Sequence, residues 1–187
     1  LTVGAAMDVS GGYSGDPDDV QMTSFSSWGP TDDGRIKPDI CGNGYNLYST
    51  YEDYDTHYAS ISGTSMSSPN VTGSLLLLHE HYNETHGEYM KATTVKALAI
   101  HTADECGPHD GPDYMFGWGL LNTQTAAKVI SDKEISTFMI EESLANGATY
   151  TLDVSATGTE PLVVTVVWAD PAGSPVYPQV DPTDIML

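Results

Sequence analysis

A serine-rich stretch that begins with glycine precedes the main leucine run of this chain and constrains the structure around it. Residues 71–78 contain four successive leucines and predict a buried helix of several turns. Residues 63–69 read Gly-Thr-Ser-Met-Ser-Ser-Pro and come directly before that run, so we expect Ser65 at the start of the helix. Unpaired backbone N–H groups and the positive end of the helix dipole meet there. They would stabilise an oxyanion formed when Ser65 attacks a carbonyl carbon.

Two neighbours of Ser65 favour this interpretation. Pro69 has no N–H to donate to the Ser65 carbonyl, and its ring crowds that carbonyl, so the first turn should be loosened. Gly63 lacks the side chain that would keep a substrate backbone at a distance. A purely structural role is about equally common for such a stretch, because Thr64 or Ser65 could simply cap a core helix.

Three other short motifs accompany this stretch. They are Phe25-Ser26-Ser27-Trp28-Gly29-Pro30, Lys37-Pro38-Asp39-Ile40 and Gly117-Trp118-Gly119-Leu120-Leu121-Asn122. In order and spacing, the four motifs resemble the C-terminal half of the catalytic domain of a subtilisin-like serine protease (subtilase), over about residues 1–130. The resemblance implies that Ser65 is the nucleophile of a serine endopeptidase and that its own N–H is one oxyanion donor. It also implies that Ser62, Gly63 and Thr64 border the bound substrate.

The resemblance also implies that the other catalytic groups lie upstream. A serine hydroxyl becomes a useful nucleophile when an imidazole takes its proton and an acid orients that imidazole. In subtilases the Asp, the His and the oxyanion-hole Asn precede the Ser, yet none of the 64 residues before Ser65 carries the family's motifs for them. We therefore expect residues 1–187 to be inactive alone, with most of the specificity pocket also upstream.

Other functions stay open beside this one. A local triad of Asp55, His57 and Ser65 would need the imidazole near the hydroxyl, but an extended segment 59–62 would hold His57 about 20 Å away. A catalytically silent subtilase-like scaffold could bind peptide or protein partners along an exposed strand edge. Another α/β hydrolase is disfavoured. A Gly-x-Ser-x-Gly elbow has glycine two residues after its serine, whereas Met66 and Ser67 follow Ser65 here.

The patterning predicts an α/β region at 1–131 and a β-rich region at 132–187. In the first we predict strands at 1–7, 22–26, 36–41 and 58–62, and helices following Ser65, at 91–105 and, with an Asn122 cap, at 122–130. The family resemblance implies a partial subtilisin-like three-layer fold with a mostly parallel sheet. In the second we predict strands at 135–141, 149–155 and, fully buried, 162–168. Residues 167–171 resemble part of the C-terminal β-sandwich (jelly-roll) domain of larger subtilases, here truncated, because a jelly roll needs about eight strands.

The charge balance excludes several classes of partner. With 26 acidic and 6 basic side chains the formal net charge is −20, which repels nucleic acid and anionic membranes and suits a secreted or extracellular protein. The expected partner is a peptide or protein substrate. We also expect residues 1–187 to dimerise or swap strands, because a parallel sheet that lacks members leaves unpaired edges.

The histidines, the clustered aspartates and the two cysteines bear on metal and disulfide assignments. No residues have the spacing of a zinc site, and His79, His81 and His86 are expected at the surface. Calcium is frequent in the family, and Asp16, Asp18 and Asp19 could supply oxygen ligands, although such carboxylates are usually only solvated. No cofactor is otherwise expected. Cys41 and Cys106 could form a disulfide or could equally be two buried thiols.

Overall fold

The computed structural model describes residues 1–107, 110–156, 158 and 161–169. Within these ranges the chain forms four strands, one 3₁₀ turn at Pro17–Asp19 and three α helices. The elements are β1 (Val3–Ala6), β2 (Ile40–Asn43), β3 (Leu47–Thr50), β4 (Tyr58–Ile61), α1 (Thr64–His86), α2 (Ala92–His101) and α3 (Thr123–Ser131). The α/β class predicted from the sequence is confirmed, and so are the helix that follows Gly63 and the helix capped by Asn122. The predicted burial of the leucine run is wrong in part, because Leu76 and Leu77 are 67% and 62% exposed.

The central element is a parallel pair of strands covered by α1. β1 and β2 pair in parallel from Val3 opposite Ile40 to Ala6 opposite Asn43. The Cys41 N–H donates to Gly119 at 2.8 Å, so the Gly-Trp-Gly motif lines the other edge of β2. A Cβ on Gly42 would lie 2.5 Å from Val71 Cγ2. Glycine at this position therefore allows α1 to pack directly on the strand backbone.

Helix α1 presents one face to the sheet and to the other helices. Its buried residues are Ser67, Val71, Leu78 and Tyr82, whose spacing follows the helical repeat. The helix ends at Gly87, which takes the left-handed conformation (φ 76°) and donates to Asn83. Its histidines are partly buried. His81 Nε2 lies 3.0 Å from Ser131 Oγ, and His86 Nε2 lies 2.9 Å from the Ile130 carbonyl, so both tie α1 to α3.

Two predicted strands are corrected by the structure. Residues 22–26 form a single antiparallel bridge, between Met22 and Ala6, followed by a turn whose side chains add further hydrogen bonds. Thr23 Oγ1 donates to the Ala5 carbonyl at 2.8 Å, and Ser26 Oγ accepts from the Ala5 N–H at 3.0 Å. The strand predicted at 36–41 begins at Ile40, after Pro38, which has no N–H to contribute to a ladder. The tyrosine-rich segment before residue 58, where no strand is predicted, contains β3, which pairs antiparallel with β4.

The strands predicted in the second region are absent from the described part of it. Residues 135–141, 149–155 and 162–168 form no hydrogen-bonded strand there. The prediction that 162–168 is fully buried is wrong, because Val163, Val164 and Val166 are 61%, 70% and 71% exposed. A strand is buried on both faces only when sheet or helix layers cover it, and no described element does so here. The rest of the expected β-sandwich, residues 170–187, and the end of the 167–171 motif lie outside the described residues. The domain division and the jelly-roll assignment therefore stay predictions.

The two cysteines are buried as free thiols in one cluster with Phe116. Burial raises the pKa of both thiols, that of Cys106 to about 12. The structure thus has buried thiols rather than a disulfide at these positions.

Candidate active site

Two serines at the start of α1 face opposite environments. Ser65 is the second residue of the helix and its side chain is exposed. Ser67 is fully buried, and its hydroxyl lies 2.8 Å from the Gly4 carbonyl and 2.9 Å from the Gly42 carbonyl. Residues two apart on a helix point about 200° apart, so anchoring Ser67 on the sheet turns Ser65 outward. Among the described residues, Ser65 Oγ has no hydrogen-bond partner, which leaves its hydroxyl accessible.

The backbone before Ser65 is held against the end of β2. The Gly63 N–H donates to the Gly44 carbonyl at 2.8 Å. A Cβ on Gly44 would lie 2.5 Å from Ala5 Cβ and 3.0 Å from the Gly63 carbonyl oxygen. Only a glycine at 44 permits this approach. The helix start is therefore fixed both by the buried Ser67 side chain and by close backbone packing.

The helix start also exposes donors beside the Ser65 hydroxyl. The N–H groups of Met66 and Ser67 donate to the Gly63 carbonyl, whereas those of Thr64 and Ser65 come too early in the helix to find an intrahelical acceptor. A Cβ added to Gly63 would lie 3.7 Å from the Ser65 nitrogen. Glycine at 63 therefore leaves the space beside the Ser65 nitrogen free of a side chain, at the positive end of a 23-residue helix.

The remaining predicted substrate-contacting residues surround this position. Thr64 is exposed beside Ser65, and Ser62 is exposed on the opposite side of Gly63. Ser62 Oγ accepts from the Asn46 N–H at 2.8 Å, so it also fixes the base of the β3–β4 hairpin. Pro69 lies inside α1, and its missing N–H leaves the Ser65 carbonyl without its usual helical partner.

The local triad is not formed. His57 lies at the turn of the hairpin, where its Nδ1 is 3.1 Å from Asp53 Oδ2 and its ring stacks on Tyr54 at 4.8 Å between centroids. The four-residue strand β4 separates it from the start of α1. The contacts of His57 are with the hairpin, and Asp55 is not its partner. No imidazole in the described residues contacts Ser65 Oγ.

The aspartates suggested as calcium ligands make local contacts instead. Asp16 accepts from the Asp18 N–H at 3.0 Å and so caps the short 3₁₀ turn. Asp19 accepts from Ser14 Oγ at 2.5 Å. The described residues contain no group of three or more His, Cys, Asp or Glu side chains that could hold a metal ion.

Sequence reasoning missed the residues that support Ser65. Ser67, Gly44 and Asn46 are needed to explain its position, and none was singled out. Two signals were available: Ser67 falls four residues before Val71 on the buried face, and Gly42 and Gly44 alternate at the end of a strand.

The described residues thus place an exposed serine at the start of a helix that packs on a parallel strand pair. The profile of the subtilase family, the peptidase S8 family, matches residues 1–119. The chain belongs to the subtilase family.

Individual relatives agree with this assignment. The chain is 47% identical over 63 residues to C5a peptidase of Streptococcus pyogenes, covering 34% of this chain and 5% of the relative. It is 32% identical over 116 residues to pyrolysin of Pyrococcus furiosus, covering 59% of this chain and 8% of the relative. A PII-type proteinase of Lactococcus lactis subsp. cremoris is 38% identical over 69 residues, covering 37% of this chain and 4% of the relative. The matched segments thus span less than a tenth of these relatives.

Solved structures show the same fold. The CspB protease of Clostridium perfringens superposes with a TM-score of 0.56 at 24% identity, over 70% of this chain and 26% of that chain. The prenylagaramide maturation protease PagA gives a TM-score of 0.52 at 28% identity, over 68% of this chain and 41% of that chain. In the described part of our chain, no helix combines the length and the apolar character needed to cross a membrane.

Proposed function

We propose that the full-length protein is a subtilisin-like serine endopeptidase in which Ser65 is the nucleophile. The observation that carries the proposal is the opposed orientation of Ser65 and Ser67: one hydroxyl is exposed at the start of α1, and the other fixes the helix on the sheet. Membership of the subtilase family supports a hydrolase that acts on peptide bonds.

The chemistry follows from the groups at the helix start. Ser65 Oγ attacks the carbonyl carbon of the scissile peptide and loses its proton to an imidazole, and the carbonyl oxygen becomes an oxyanion. The Ser65 N–H and the helix dipole stabilise that oxyanion. The imidazole then protonates the leaving amine, and water hydrolyses the acyl-enzyme. Ser62, Gly63 and Thr64 border the substrate in this proposal.

We propose that the proton acceptor comes from elsewhere in the full-length protein. The imidazoles of the described residues are engaged in the hairpin or along the helices, away from Ser65. We therefore propose that residues 1–187 alone are inactive. We also propose that the enzyme acts outside the cell, which is supported by the strongly acidic composition of the chain.

A fluorophosphonate probe tests the proposal directly, because it phosphonylates only an activated serine. In the full-length protein we expect labelling that maps to Ser65 by peptide mass spectrometry and disappears in Ser65→Ala. Ser68→Ala, which removes an exposed hydroxyl from the same turn, is the matched control and should label normally. Residues 1–187 alone should label no faster than Ser65→Ala. A folded full-length protein that stays unlabelled would instead favour the silent scaffold.

A further inference from the structure

The hairpin that leads into Ser65 carries a row of exposed aromatic side chains. We call residues 47–61, which comprise β3, β4 and their turn, the tyrosine hairpin. Tyr48 and Tyr58 are 72% and 51% exposed and stack on each other with centroids 5.6 Å apart. Tyr54, at the turn, is 61% exposed. Such aromatic side chains are usually covered by other groups, so this exposed row marks a contact surface.

The aromatic row shares a face with Ser62. Tyr48 is opposite Ser60 and Thr50 is opposite Tyr58 in the β3–β4 register. Because side chains alternate along a strand, Tyr58, Ser60 and Ser62 point to the same side, while Ala59 and Ile61 point to the other. The exposed face therefore runs from Ser62, three residues before the proposed nucleophile, for about 13 Å to Tyr58.

The turn of the tyrosine hairpin is also negatively charged. Glu52 and Asp55 are exposed at the turn, and Asp53 contacts His57. All six Lys and Arg residues lie in the described ranges, and none of the ion pairs found there joins one of them to the hairpin. The carboxylates of Glu52 and Asp55 are thus left without a basic partner among the described residues.

We propose that the tyrosine hairpin is a docking surface for a cationic segment of the polypeptide substrate, several residues away from the scissile bond. The inference rests on the proposed endopeptidase function and adds a substrate preference to it. Arginine and lysine side chains are attracted to the faces of aromatic rings and to carboxylates, and the hairpin presents both. The hydrogen bond between Asn46 and Ser62 fixes the hairpin base beside Ser65, so a docked segment would be aligned with the reacting carbonyl.

Binding to an inactive variant tests the docking without requiring catalysis. The probes are a fluorescent peptide that carries three arginines and the same peptide with three glutamates. Their affinities for full-length Ser65→Ala are measured by fluorescence anisotropy at low and high salt. We expect the arginine peptide to bind more tightly and to lose that advantage at high salt.

Two variants of Ser65→Ala locate the surface. Glu52→Gln with Asp55→Asn should weaken binding of the arginine peptide about fivefold, since exposed ion pairs contribute modestly. Tyr48→Leu with Tyr58→Leu keeps apolar area but removes the aromatic faces, and should have an effect of about the same size. Glu80→Gln with Glu84→Gln is the matched control: it removes two exposed charges from α1 and should leave binding unchanged.

The outcomes separate this inference from the proposed function. Equal affinity for both peptides, or equal weakening by the hairpin and control variants, would overturn the docking surface. Fluorophosphonate labelling of the same variants with Ser65 restored should proceed at the wild-type rate, because the small probe does not reach the hairpin. If wild-type protein fails to label while hairpin-dependent binding persists, the docking surface stands and the endopeptidase proposal fails.

Discussion

At the scale of single residues, the candidate site depends on two serines of α1 that face opposite environments, Ser65 and Ser67. It also depends on two glycines, Gly44 and Gly63. The resemblance to subtilases directs attention to Ser65, but the structure shows that its exposure depends on Ser67 and Gly44. Gly63 is different, because no residue that the structure describes forbids a side chain there. The nearest atom to an added Cβ is Met66 Sδ at 3.4 Å, an ordinary contact, and the backbone at Gly63 is extended. We propose that the missing side chain at Gly63 leaves room for a bound substrate.

Gly63→Ala should therefore separate stability from activity. We expect the free energy of unfolding to change by less than about 0.5 kcal/mol, as for a surface substitution without a clash. We expect kcat/KM to fall at least about tenfold, because the methyl group covers the Ser65 N–H that stabilises the oxyanion. Peptide hydrolysis and urea unfolding of the full-length protein measure the two quantities. Gly73→Ala, which meets no atom within 4 Å, is the control and should keep full activity. A Gly63→Ala enzyme with wild-type kcat/KM would contradict an oxyanion role for this N–H.

At the scale of elements, the helices were easier to predict than the strands. The leucine run and Asn122 predict α1 and α3, because helical periodicity and caps are local signals. The strands depend on partners that are distant in sequence. Residues 22–26 look like a strand, yet Thr23 and Ser26 bond to Ala5 through their side chains. The sequence does not predict β3, because three of its four residues, including Tyr48, are exposed and the strand has no apolar face toward a core. At the site, the sequence motif predicts Ser65 and its neighbours. The geometry of the hairpin does not follow from the motif, because it depends on the pairing of β3 with β4.

Asp39 joins β1 to β2 and gives the fold a pH dependence. It is buried, accepts from the Thr2 N–H at 2.7 Å and lies 2.6 Å from Lys37 Nζ. Burial by itself would raise the pKa of Asp39, but the hydrogen bonds from Lys37 and Thr2 outweigh it and hold the pKa below its ordinary value of 3.8. A lowered pKa in the native state means that ionised Asp39 stabilises the fold. That contribution is complete well above pH 3.8 and is lost as the pH falls through the lowered value.

Asp39→Asn should therefore destabilise the protein in a pH-dependent way. At pH 7 we expect a loss of about 1–3 kcal/mol in the free energy of unfolding, typical of hydrogen bonds to a charged group. The difference from wild type should shrink as the pH is lowered below 3.8, because protonated Asp39 resembles asparagine. Urea unfolding of the full-length protein at a series of pH values measures it. Asp32→Asn, at an exposed position nearby, should show little effect at any pH. A difference that stays constant down to pH 2 would show that the charge of Asp39 does not contribute.

At the scale of the whole molecule, the described residues beyond α3 leave apolar side chains uncovered. Ile135, Val164, Val166 and Trp168 are 82%, 70%, 71% and 72% exposed. The sequence predicts these segments as strands of a second domain, and their valine-rich composition supports that prediction. The burial of these side chains depends on neighbouring strands, which composition does not identify. Apolar surface of this extent marks a region that other polypeptide should cover.

Residues 1–187, produced alone, should consequently self-associate through this surface. Covering an exposed valine removes apolar area from water, and unpaired strand-like segments readily pair with a second copy. Light scattering coupled to size-exclusion chromatography should show a mass that increases with concentration. Val164→Lys with Val166→Lys should shift the protein toward monomer, because the charges oppose burial and repel between copies. Ser143→Lys with Asn146→Lys adds the same charge at exposed polar positions and should leave association intact. A wild-type sample that stays monomeric at all concentrations, or a control that dissociates equally, would exclude association through the valine segment.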